Sequence, residues 1–192
     1  MVRLDFPRTR WISRVVATVL VLGLAGNFIW FSPWVQKLLY PVPHKQLIFK
    51  YSSEYRIDPY LVTAIIRRES KFFYWAESAK GAKGLMQIMP QTAQWVSKQI
   101  PLAGYSDEQL YEPETNIRMG CWYLASLKEE FNGNIPIMIA AYNGGRGNVQ
   151  QWIKEQRWSG KEHTLEDIPF PETREYVKAV LHDYYMYHEL YD

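Results

Sequence analysis

The sequence is poor in the groups that most often carry chemistry or staples. It has one cysteine, Cys121, so no intrachain disulfide and no cysteine-built zinc cluster can form. Its four histidines are not spaced as a metal site, and neither an HExxH pair nor a phosphate-binding glycine loop occurs. No stretch alternates apolar and polar residues over strand length, and no segment repeats, which argues against sheets and solenoids. Strong charge is missing too. Residues 1–44 hold five of the 22 Lys and Arg and one of the 20 Asp and Glu, so the remainder carries a net −2. A nearly neutral domain is a poor nucleic-acid binder.

What is present is a basic, then apolar, N-terminus. Arg3, Arg8, Arg10 and Arg14 precede VVATVLVLGLAGNFIWF, residues 15–31, which contains no charge. Trp11, Ile12, Trp30 and Trp34 can extend this run into both interfaces of a bilayer. The sequence therefore predicts a short basic cytoplasmic segment (1–14), a transmembrane signal-anchor (15–34), a Pro-containing linker (35–44) and an outer domain (45–192). The arginines place the N-terminus inside and the outer domain beyond the cytoplasmic membrane. Cleavage after Gly23-Leu24-Ala25, giving a secreted protein, is the rival reading. No cysteine near the run offers a lipoprotein anchor.

The outer domain reads as all-α, with about seven helices. One helix passes through Leu47, Ile48 and Tyr51. Another starts at Asp58-Pro59 and ends near Glu69. A short one passes through Ala93 and Val96, and a long one covers 113–131. Two shorter ones lie at 135–142 and 148–156, and a last one runs from Pro171 to about Leu190. Aromatic residues make up 16% of the chain; their faces suit sugar rings, cores and membrane interfaces alike. Cys121 falls on one helical face with Ile117, Leu124 and Phe131, as a buried structural thiol would.

Glu69 is the candidate acid. Leu61, Ile65 and Glu69 follow at four-residue spacing, so the carboxyl extends an apolar stripe. Burial there would raise its pKa and keep it protonated as a proton donor. The alternative from the same residues is an ion pair with Arg67, Arg68 or Lys71. Three more segments accompany it: GAKGLMQIMP at 81–90, AYNGG at 141–145 and ETREYV at 172–177. Taken singly, each is an ordinary turn, helix terminator or first helical turn.

Together, and in this order with Glu69-Ser70, they resemble the Slt-type lytic transglycosylases, family 1. These are relatives of goose-type lysozymes in glycoside hydrolase family 23. The resemblance covers about residues 45–190. It implies a lysozyme-like helical fold and cleavage of the MurNAc–GlcNAc β-1,4 bond of peptidoglycan glycan strands, leaving 1,6-anhydro ends, with no metal or cofactor. By position it implies Glu69 as the single catalytic acid/base and Ser78 as a positioner of the N-acetyl group. Gln87 and Met89 would line the cleft, Tyr142 and Asn143 would form its wall, and Tyr176 would hydrogen-bond Glu69. Phe73-Tyr74 replaces an Asn-Pro common in the family, so the loop before Ser78 is expected to differ in shape. AYNGGRG replaces AYNAGPG, so Gly144 and Arg146 are expected to leave that helix end looser and more basic. No second carboxylate sits in a matching motif. A hydrolase using Glu77 or Asp107 to hold a water is the first rival. A wall-binding factor without turnover is the second.

Overall fold

The structure is a computed structural model that describes residues 11–12, 14–22, 32–102 and 104–192. It divides into two compact units, residues 1–41 and 42–192.

In the first unit, residues 14–22 are helical, and Val16, Val19, Leu20, Val21 and Leu22 are all more than half exposed. A second short helix, Pro33–Leu39, spans the last two residues of the expected anchor and the first five of the expected linker. Ser32 caps it, its hydroxyl accepting from the Val35 N–H, and Pro33 occupies the first helical position. Among the described residues, no helix is long and apolar enough to cross a membrane. The expected anchor continues through residues 23–31, which lie outside the described residues.

In the second unit seven α-helices are described: α1 (Lys45–Glu54), α2 (Pro59–Ser70), α3 (Pro90–Ser97), α4 (Pro113–Glu130), α5 (Ile135–Gly144), α6 (Arg146–Lys154) and α7 (Pro171–Tyr191). The unit is all-α, as the periodicity predicts. Short 3-10 turns at Asp107–Tyr111 and Glu162–Asp167 lie in the connections before α4 and α7. Proline opens α2, α3, α4 and α7, where its missing N–H costs nothing. α6 begins two residues earlier than its sequence suggests, because Gly145, at φ 87°, turns the chain directly from α5 into it.

α2 is the central rod. Tyr60 through Ile66 are all buried, so it has no solvent face over that stretch. It packs on α1 and, more extensively, on α7, and α7 also covers α5. Cys121 is fully buried, and burial pushes its thiol up to about 12, which fits a structural role.

Between α2 and α3 the chain forms no regular element, and two isolated bridges, Glu77 with Lys83 and Lys83 with Ile88, fold the segment back on itself. Asn116 of α4 holds this loop from below. Its Oδ1 accepts from the Met86 N–H at 2.7 Å, and its Nδ2 donates to the carbonyls of Lys83 (2.9 Å) and Leu110 (2.8 Å). Gly84 is required there twice over. Its φ is 78°, and a Cβ would stand 2.1 Å from the Leu110 carbonyl oxygen. Gly120 of α4 likewise makes room for Met86, whose sulfur would lie 2.1 Å from a Cβ.

Asn116→Ala should therefore strip partners from three backbone groups at once. We expect a loss of about 3 kcal/mol or more in urea unfolding. A loss below about 1 kcal/mol would show that something other than Asn116 holds the loop.

Candidate active site

Glu69 lies in the last turn of α2, one residue before the helix ends. Lys71 caps that end in the left-handed conformation at φ 50°. Leu61 and Ile65 beneath it are fully buried, as the four-residue spacing predicts. The carboxyl is pushed up from 4.5 to about 7. Burial is the larger cause, and a hydrogen bond from Tyr176 opposes it. Tyr176 Oη donates to Glu69 Oε1 at 2.6 Å, across the packing of α2 on α7.

The ion-pair alternative for Glu69 is not what the structure holds. Arg67 and Arg68 turn to Asp183 of α7, whose side chain is fully buried. Arg68 Nη2 donates to Asp183 Oδ1 at 2.8 Å. Oδ2 is held by ion-pair contact alone, with Arg68 Nε at 2.7 Å and Arg67 Nε at 3.3 Å. Lys71 is exposed. Among the described residues Glu69 makes no ion pair, so no nearby cation counteracts its burial. Sequence reasoning missed Asp183; a lone carboxylate on the apolar face of α7, between Val180 and Tyr184, was the available signal.

Tyr142 of α5 donates to the Met86 carbonyl at 2.7 Å, tying α5 to the loop. Its phenol and that of Tyr176 are driven well above their ordinary range, chiefly by burial and next by Glu69, so both stay protonated donors. Gln87 sits in the loop at φ 47°. Its side-chain amide donates to the carbonyls of Ala76 and Gly84, both at 3.0 Å. Those two bonds hold a non-glycine residue in a left-handed turn.

Gln87, Met89, Tyr142 and Asn143 share one cleft of about 210 Å³ with Thr92 and Tyr123. Met89 precedes α3 and is 39% exposed. Glu69 does not line that cleft, and neither does Ser78. Its hydroxyl accepts from the Ala82 N–H at 3.0 Å and shapes the loop. Tyr123, which stacks 5.5 Å from Tyr142, was not singled out in the sequence because it reads as one more core aromatic of α4.

The added charge at this helix end, Arg146, has a partner. Arg146 pairs with Glu130 at the end of α4 and its guanidinium lies 5.5 Å over the Trp95 ring, so its charge is balanced. The two carboxylates considered as water holders are engaged elsewhere. Glu77 is exposed and accepts from Tyr111 Oη at 2.5 Å, and Asp107 faces Tyr105.

The raised carboxyl has a consequence for stability. Glu69 holds its proton more tightly folded than unfolded. The stabilisation is therefore full below about 4.5 and lost as pH rises through about 7. Glu69→Gln, which keeps the shape without the charge, should equal the wild type in stability at pH 4. At pH 8 it should exceed it by roughly 2–3 kcal/mol. Parallel pH–stability curves in chemical denaturation would contradict this.

The family described as Transglycosylase SLT domain matches residues 46–165, and a second, Soluble lytic transglycosylase helical domain, matches residues 167–192. The soluble lytic murein transglycosylase of Escherichia coli K12 is 41% identical over 146 residues, covering 74% of this chain and 22% of that protein. The membrane-bound lytic murein transglycosylase C of Serratia proteamaculans is 31% identical over 173 residues, covering 81% of this chain and 48% of that one. Among solved structures, the 70 kDa soluble lytic transglycosylase of Escherichia coli superposes with a TM-score of 0.74 at 37% identity, covering 82% of this chain and 26% of that chain. The same type of enzyme has been solved with bulgecin A, at a TM-score of 0.74 and 38% identity over 80% of this chain and 25% of that one. This chain thus spans about a quarter or less of the soluble relatives. With the family matched over most of residues 42–192 and the fold shared at this identity, the chain belongs to the Transglycosylase SLT domain family.

Proposed function

We propose that this protein is a membrane-anchored peptidoglycan lytic transglycosylase. It cleaves the MurNAc–GlcNAc β-1,4 bond without water and leaves 1,6-anhydro-MurNAc ends. The observation that carries the reading is Glu69: a carboxyl held near pKa 7 by burial, hydrogen-bonded by one tyrosine and facing no counter-charge.

A group with that pKa is matched to work as both acid and base near neutral pH. Protonated Glu69 gives its proton to the glycosidic oxygen as the bond to C1 breaks. The N-acetyl carbonyl of the MurNAc residue stabilises C1, which bears the developing positive charge. The Glu69 carboxylate then takes the proton of the MurNAc C6 hydroxyl, and that oxygen closes onto C1. The acid is restored, and no water, metal or cofactor enters. Tyr176 orients Oε1 and supports the anion between the two steps. Tyr142 and Asn143 form the wall of the cleft, Gln87 and Met89 line it, and Ser78 positions the N-acetyl group. Two-carboxylate glycosidases need a second acid flanking the bond. Here only burial and the Tyr176 bond shift Glu69, while Glu77 and Asp183 have other partners.

Anchoring by the N-terminal segment is part of the same proposal. The exposed apolar helix at 14–22 and the arginines before it suit a signal-anchor with the N-terminus inside. The second unit would then act in the periplasm or wall zone. The relative from Serratia proteamaculans named as membrane-bound is in keeping with this placement.

Digestion of purified peptidoglycan with the whole chain should release muropeptides one water lighter than reducing MurNAc ends, read by mass spectrometry. Reducing ends would mean a hydrolase instead. Glu69→Gln should abolish release, and retained lysis by that variant would overturn the assignment. The rate should fall as pH rises past about 7, when the acid is lost. Tyr176→Phe removes the bond that lowers the carboxyl's pKa, so it should move that limb upward while lowering the rate about three- to tenfold. An unchanged profile would remove Tyr176 from the site.

A further inference from the structure

Directly after the helix that carries Glu69, the chain exposes three aromatic rings in a row. Phe73, Tyr74 and Trp75 are 51%, 45% and 59% exposed. They are not scattered. The Tyr74 ring meets Trp75 edge-on at 4.6 Å, and the Phe73 ring lies 5.3 Å from Trp75. Lys71 and Phe72 take successive left-handed conformations, φ 50° and 66°, and turn the chain sharply away from the end of α2. Two non-glycine residues in that region are a cost that the surrounding structure must hold in place.

The backbone supplies that hold on both sides. The Phe73 N–H donates to the carbonyl of Ser70, the neighbour of Glu69, at 3.0 Å, and the Ala76 N–H donates to the Phe73 carbonyl at 3.1 Å. The Ala76 carbonyl then accepts twice, from the Gly84 N–H at 2.8 Å and from Gln87 Nε2 at 3.0 Å. The three rings thus sit on a turn pinned between the proposed acid and the loop that lines the cleft. A folded core has no use for three rings left in water, and a set this size marks a contact surface.

We propose that Phe73, Tyr74 and Trp75 form an additional glycan-binding platform, stacking on sugar rings of the strand beyond those held in the cleft lined by Gln87 and Tyr142. The proposal rests on the peptidoglycan reading above. The occupant follows from position. The turn shares its hydrogen bonds with Gln87 and adjoins Glu69, so a strand placed across the acid runs on over these rings. The apolar C–H faces of pyranose rings fit exposed aromatic faces. Lys71, Glu77 and Lys80, the charged residues flanking the rings in sequence, carry both signs, so the segment lacks the basic cluster that an anionic lipid surface attracts.

The test uses the whole chain in detergent, made inactive by Glu69→Gln so that substrate persists. Affinities for a trimer and a hexamer of β-1,4-linked GlcNAc are measured by calorimetry, with and without Trp75→Ala. We expect the hexamer to bind about tenfold more weakly to the Trp75→Ala form, and the trimer to change by less than about twofold. Equal hexamer affinity overturns the platform. If the Glu69→Gln parent binds neither oligosaccharide, the peptidoglycan reading fails and takes the platform with it. Trp75→Phe, which keeps a ring, provides a second measure should the alanine variant unfold. Hexamer addition should perturb the emission that this substitution removes, and an unperturbed Trp75 contribution overturns the proposal. Quenching of that emission by brominated lipid in nanodiscs, with hexamer affinity unchanged, would reassign the rings to a membrane surface and also overturn it.

Discussion

Glu69 holds its proton toward pH 7 because it is buried with only the Tyr176 hydroxyl bonded to it. A carboxyl within reach of a guanidinium loses a unit or more of pKa. Arg67 and Arg68 precede Glu69 directly, and helical residues one and two apart point to different faces. Asp183 on α7 draws both away and is itself fully buried. A buried ion pair of this kind adds little net stability. Its consequence here is electrostatic order: the cations are fixed on one face of α2, and the acid is left on another with only a phenol for company.

The same helix pairing, α2 on α7, supplies both the diversion and the phenol. Tyr176 and Asp183 are seven residues apart in sequence, two turns along α7. α7 therefore tunes the carboxyl at both ends: it removes charge with Asp183 and donates one hydrogen bond with Tyr176. The cleft is built from the other direction. Asn116 and Gly84 fold the loop, Gln87 and Ala76 close it, and Tyr142 ties it to α5. Acid and cleft thus rest on separate supports that meet at the end of α2.

Much of this was legible in the sequence. Proline at first helical positions and four-residue apolar spacing mark the helices, and the stripe Leu61, Ile65, Glu69 puts the carboxyl on the buried side. Its raised pKa follows from that. The sequence pattern stops at interactions between distant segments. Nothing local says that Arg67 and Arg68 choose Asp183 over Glu69, because both acids lie within plausible reach of a helix end. Asn116 looks like a weak helix former until the loop it holds is seen. The charge of Arg146 suggested a basic helix end, and only its contact with Glu130, sixteen residues earlier, cancels it. Phe73-Tyr74 reads as a change of loop shape, whereas the structure leaves both rings, with that of Trp75, in solvent.

The most direct test of the account is the titration of the Glu69 carboxyl itself. The full chain labelled at glutamate Cδ, compared with its Glu69→Gln form, isolates that one carbon-13 resonance. The account predicts a midpoint at about 7. A midpoint near 4.5 would mean that a cation or water reaches the carboxylate, and the single-acid account would fail.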